Sequence, residues 1–133
     1  MNTKIFITLP VRDLARALAF YKALGYPNDP QFTDDNAPCI VISEHIQIML
    51  LTHSKFREFS PKDVCDTSKA IQVLHSLTCE TRAQVDDPVR KAIAAGGSTI
   101  EAPQDYGFMY HHGFVDPDGH CWGLNYITAI HSA

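Results

Sequence analysis

Side chains able to hold a metal or move a proton crowd together near the C-terminal end, at His111, His112, His120 and Cys121, in a chain that carries 7 histidines and 4 cysteines. They sit on two presumed strands and the turn between them. Adjacent residues of a strand point to opposite faces, so His111 and His112 cannot serve one site. Parity puts His111 with Met109 on one face, and Tyr110, His112 and Phe114 on the other. An imidazole titrates near neutrality, which makes His111 the best candidate acid or base. His120 follows a turn and reads as a rim residue. Cys121 could be a nucleophile, although a free cysteine is more often a small buried hydrophobe. No nucleophile–base–orienter set is visible, and His111 with Cys121 supplies too few ligands for zinc. Cys39, Cys65, Cys79 and Cys121 form no CxxC pair and read as free thiols in a reducing compartment.

Strands and helices must position these groups. Lys4–Leu9 is a short β-branched run, ended by Pro10. Asp13 is placed to cap a helix, with Leu14, Leu18, Tyr21 and Leu24 near helical spacing and Gly25 just beyond its end. A short strand fits Gln31-Phe32-Thr33. Cys39–Ser43 and Ile46–Thr52 are strands joined by Glu44-His45. HSKFREF reads as a helical turn or two, and Ser60-Pro61 as a possible further helix start. A polar connector follows. Ala70–Cys79 then alternates like a strand, and Thr81–Ala95 is helical, with Thr81 and Gln84 resembling a capping box. Pro88 should kink that helix or shift its start. Ser98–Glu101, Phe108–Val115 and His120–Ile127 are the remaining strand candidates. Tyr106-Gly107 reads as a lid or a hairpin connection. The order is strand, helix, three strands, stated twice. That is an α+β chain with two βαβββ modules: a mostly antiparallel sheet with helices on one face.

Bulk properties exclude several classes. A length of 133 residues suits one compact domain, and 45% hydrophobic with 20% charged residues is ordinary for a globular protein. A formal net charge of -4 argues against a nucleic-acid partner. No apolar run is long enough for a membrane span, and MNTKIFITLPV lacks the pattern of a signal peptide. The expected compartment is the cytoplasm.

Three local patterns, LPVRDLARALAFYKALG, AIAAGG and DPDGH, occur in order across this module plan. Together they resemble the vicinal oxygen chelate superfamily, which includes glyoxalase I, bleomycin-resistance proteins and extradiol dioxygenases. FTDDNAPCIVIS, IMLLT and PQDYGFMY are similar to a glyoxalase-like subgroup. The resemblance implies a single glyoxalase-like domain over 1–133, with module one at about 1–60, a connector at 61–69 and module two at 70–130. It implies two modules curled into a half-open cup, usually in a homodimer. In metal-dependent members it implies a divalent ion held by His, Gln and Glu, acting as a Lewis acid.

The ligand positions that the resemblance implies fall on Phe6, Met49 (or Leu50, one residue on), Leu74 and Gly123. None suits a hard or borderline divalent ion. Gly123, a glycine inside a strand, then stands where a metal-dependent relative has a carboxylate, and it leaves room at the cup floor. The expected site is a metal-free pocket. Phe6, Met49, Leu74 and Met109 supply apolar wall; Thr8, Gln47, His111, Cys121 and Asn125 supply scattered polar groups. No cofactor is expected, and the expected partner is a small organic molecule. The alternative is a metal-dependent lyase or dioxygenase, with one divalent ion on displaced ligands.

Overall fold

The computed structural model describes residues 3–31 and 36–128. The expected strand at Gln31-Phe32-Thr33 falls largely outside them. The chain divides into two compact units, residues 1–66 and 67–133, with the boundary inside the expected connector. It is α+β, with a three-stranded and a four-stranded sheet.

In the first unit the order is β1 (Ile5–Val11), α1 (Leu14–Ala23), β2 (Cys39–Ser43), β3 (Ile46–Thr52) and α2 (His53–Arg57). The sheet order is β1-β3-β2, with β1 parallel to β3 and β2 antiparallel to it. Asp13 caps α1 by accepting the Arg16 N–H at 3.1 Å. Gly25, at φ 100°, closes α1, with its N–H on the Lys22 carbonyl and the Tyr26 N–H on the Tyr21 carbonyl. The buried stripe of α1 is Ala17, Phe20 and Tyr21, continued by Leu24. Leu14 and Leu18, expected on that stripe, flank it. These side chains pack with Leu9, Val11, Ile48 and Leu50 to form the core of this unit. No helix begins at Ser60-Pro61. The Ser60 hydroxyl takes the Lys62 N–H in a local turn that competes with one.

The second unit repeats the wiring. Its elements are β4 (Leu74–Cys79), α3 (Arg82–Ala94), β5 (Gln104–Asp105), β6 (Met109–Val115) and β7 (Cys121–Ile127), in sheet order β4-β7-β6-β5. β4 runs parallel to β7, while β6 is antiparallel to both β7 and β5. Val85, Val89 and Ala92 of α3 are buried, as are Tyr110, Phe114, Trp122 and Leu124 of the sheet. Gly96, at φ 99°, closes α3 by the same bonding pattern as Gly25.

Local differences from expectation have physical causes. β4 begins at Leu74, not Ala70, because its partner β7 begins at Cys121, opposite Leu74. Ile71 and Val73, in the part of the expected Ala70–Cys79 strand that forms none, are therefore exposed. Ser98–Glu101 forms no strand; Ser98 makes one bridge to Val115, and the short β5 follows after Pro103. Tyr106-Gly107 lies in the β5–β6 hairpin connection, with the Tyr106 N–H on the Met109 carbonyl. Helix α3 runs uninterrupted through Pro88 and starts at Arg82. Pro88 cannot donate to the Gln84 carbonyl, and the Cys79 thiol donates to it instead at 3.5 Å. Thr81 caps α3, while the Gln84 side chain accepts the Glu80 N–H at 2.7 Å, one residue before the reciprocal bond of a capping box.

The DPDG turn joins β6 to β7. The Asp116 carboxylate accepts N–H bonds from Asp118 and His120, and Gly119 takes φ 92°. Its Cα hydrogen faces the Thr67 carbonyl so closely that no side chain fits there. The Thr67 hydroxyl donates to the Asp118 carbonyl. His120, expected at a rim, is buried, with 7% of its surface exposed. Its N–H is held by Asp116 and its carbonyl by the Asp116 N–H, which fastens it to the turn. No helix among the described residues is long and apolar enough to cross a membrane.

Candidate functional site

The expected site residues fall into two groups, one in each unit. In the first unit the register sets Thr8 beside Met49 and Phe6 beside Gln47 on neighbouring strands. Thr8, Met49 and Leu51 line a hollow of about 340 Å³, completed by Phe56, Phe59 and Ser60. Gln47 does not line it. Gln47 is buried at 5% exposure and its amide donates to Asp29 Oδ2 at 2.7 Å. Phe6 lies at the edge of this face, 37% exposed, and is not part of the hollow's lining.

In the second unit Leu74, His111, Cys121 and Gly123 come together around a hollow of about 320 Å³. Ser76, which alternation along this strand puts on the same face as Leu74, joins them, and so does Ile100, which was not expected there. Ile71, just before β4, also lines the hollow. Ser76 pairs with Gly123 across the parallel strands. Ile100 sits on an irregular segment with no period to read. Met109 is not part of this lining; it sits at the start of β6, opposite Ile127.

His111 and Asn125 are directly opposite on β6 and β7. Their side chains bond, His111 Nδ1 to Asn125 Oδ1, at 2.6 Å. Gly123 explains how the ring fits. A Cβ at Gly123 would lie 3.0 Å from His111 Cε1 and 3.4 Å from Ser76 Oγ. The space left by the missing side chain is thus partly taken by the imidazole, rather than simply open. Gly113, paired with Gly123, is needed for a different contact: a Cβ there would come within 2.5 Å of the Trp122 carbonyl oxygen.

Cys121 is buried, and burial first, then the nearby Asp116 charge, push its thiol pKa up. A thiol held protonated is a poor nucleophile. His112 belongs elsewhere: its Nε2 donates to the Glu101 carbonyl at 3.1 Å. His75 stacks on Trp122 with ring centres 4.5 Å apart. Burial, then the His120 charge, lower its pKa.

The positions that the resemblance assigned to a metal hold a phenyl ring, a thioether, an isobutyl group and a bare Cα. Such a donor set does not fit a hard divalent ion. Among the described residues, no group of three or more His, Cys, Asp or Glu side chains is arranged to hold a metal ion.

No family model and no curated protein matches this chain. Solved structures do. A hypothetical protein from S. aureus shares 27% identity over 95% of this chain and 94% of its own, with a TM-score of 0.78. A glyoxalase/bleomycin resistance protein/dioxygenase family enzyme from Burkholderia phytofirmans PsJN aligns at TM-score 0.73 and 22% identity, over 92% of this chain and 96% of its own. The chain has the vicinal oxygen chelate fold. A glyoxalase-related enzyme from Fulvimarina pelagi shares the fold at TM-score 0.76 and 17% identity, over 95% of this chain and 88% of its own. At such identities the vicinal oxygen chelate likeness fixes the strand and helix plan. The chemistry has to be read from this chain's own side chains.

Proposed function

We propose that this protein binds a small, mostly apolar organic molecule, without a metal at the positions its relatives use. The observation that carries this reading is the hollow of the second unit, where Leu74, Ile71 and Ile100 form an apolar wall beside His111, with Ser76, Thr99 and Glu101 as the other polar side chains of the lining; Asn125 lies behind it, bonded to the His111 ring. Its volume of about 320 Å³ is near the lower end of small-molecule sites, roughly 300–1,000 Å³. Burial and the Asp116 charge, which push the Cys121 thiol pKa up, favour binding over covalent chemistry, and among the described residues no nucleophile–base pair lines the hollow. Sequestration of a small molecule fits that arrangement, and several fold relatives are named glyoxalase/bleomycin resistance proteins.

The test is elemental analysis of untagged protein after dialysis and after exposure to zinc, nickel, manganese and iron(II), followed by a thermal-shift screen of neutral aromatic compounds. No retained ion, together with a stabilising ligand lost in His111→Ala, is expected. One ion retained per chain or per dimer would instead favour the metal-dependent lyase or dioxygenase reading. We also propose a homodimer; a light-scattering mass of one chain at micromolar concentration would refute it.

A further inference from the structure

We propose that Asn125 locks His111 in one tautomer, and that the hollow therefore selects neutral molecules bearing a weakly acidic hydroxyl, such as a phenol or enol. The inference rests on the binding role proposed above and adds the ligand class. The Asn125 side-chain oxygen can only accept, so at 2.6 Å His111 Nδ1 must carry the hydrogen and donate. In the neutral ring Nε2 is then an acceptor. Among the described residues Nε2 of His111 has no partner. The neighbouring His112 is held the opposite way, with Nε2 donating to a carbonyl. Each histidine thus carries its hydrogen on the nitrogen that faces its own acceptor, Asn125 for His111 and the Glu101 carbonyl for His112.

An acceptor on an apolar wall leaves a cost if the ligand cannot donate to it. A hydroxyl satisfies it; a methyl ether does not. A carboxylate is worse, because it would bring a second acceptor and a charge. Among the described residues the lining contains Glu101 and neither lysine nor arginine. Gly123 allows the geometry, since a side chain there would press on His111 Cε1 from 3.0 Å.

The experiment uses the full chain labelled with 15N at histidine and three probes of one shape: 4-ethylphenol, 4-ethylanisole and 4-ethylbenzoate. The expected free-protein spectrum shows His111 protonated on Nδ1. The phenol should shift the Nε2 resonance and bind about tenfold tighter than the anisole, the worth of roughly one hydrogen bond. The benzoate should bind weakest. Asn125→Leu should let the Nε2–H tautomer appear and bring the phenol-to-anisole affinity ratio down to about one, whatever the absolute affinities become. Equal binding of phenol and anisole, or a free His111 protonated on Nε2, overturns the inference while leaving the binding role standing. Failure of all three probes to perturb the hollow overturns the binding role, and the ligand class with it. The wild-type spectrum and probe series decide the matter even if the Asn125 variant does not fold.

Discussion

The two units share one wiring diagram and differ in what they place on the face away from the long helix. Each begins with a strand that pairs in parallel with the last strand of its sheet, and each helix is closed by a glycine at positive φ. The first unit spends its polar group, Gln47, on a buried bond to Asp29, so its hollow is almost wholly apolar apart from Thr8 and Ser60. The second unit thins its strands at Gly113, to admit the Trp122 carbonyl, and at Gly123, whose space is partly taken by the His111 imidazole. Shared backbone rules thus make the scaffold, and a pair of strand glycines makes the difference.

The strongest way to break that comparison is to fill the glycines. Gly113→Ala should cost toward the upper end of the roughly 1–3 kcal/mol typical of overpacking, because its neighbour is rigid backbone. Gly123→Ala should cost nearer 1 kcal/mol, since a side chain can yield, but should displace the His111 ring. Thermal melts give the costs, and the histidine spectrum gives the displacement. Equal costs at the two positions would mean the contacts are not what distinguishes them.

The shared scaffold predicts matched effects. Asp13→Ala and Thr81→Ala, each removing the side chain that caps its helix, should each cost about 1 kcal/mol in denaturant titrations. A large loss in one unit alone would break the equivalence. Pro88 has no counterpart in α1, and sharpens the contrast. Cys79→Ala should cost up to about 1 kcal/mol in the native background and close to nothing in a Pro88→Ala background, where an N–H again reaches the Gln84 carbonyl. Additive effects would show that the thiol is not the substitute donor.

The smallest effect expected is one of pH. His75 titrates below its ordinary 6.5 in the folded protein, through burial and then the His120 charge. The unfolded chain therefore takes up a proton first, and stability falls as pH drops below about 6.5 toward the lowered folded value. His75→Phe should flatten that part of the pH–stability curve. An unchanged curve would assign the dependence to another group.

Much of the scaffold was legible because its signals are local. Asp13 and Thr81 before a helix, Gly25 and Gly96 after one, and DPDG between strands each act within a turn of where they stand. Alternation along β6 likewise put His111 and His112 on opposite faces. What alternation cannot report is how a side chain lies once it reaches a face. His111 folding toward Gly123 depends on a diagonal across two strands, and the burial of Gln47 depends on Asp29, from a different segment. The late start of β4 depends on where β7 begins. His120 was misread because a residue after a turn is usually exposed, whereas here Asp116 fixes it inward.

The clasp between Thr67 and the DPDG turn has a consequence for the order of folding. Its hydrogen bond joins residues 51 apart in sequence, and the parallel pairing of β4 with β7 spans a similar stretch. Such contacts require a long loop to close before they return any stability. The α3 turn structure and the β6–β7 hairpin are local and can form first. The clasp is thus expected to form late in the assembly of the second unit, after the transition state. A side chain at Gly119 should therefore speed unfolding while leaving the folding rate almost unchanged, which stopped-flow unfolding and refolding would check.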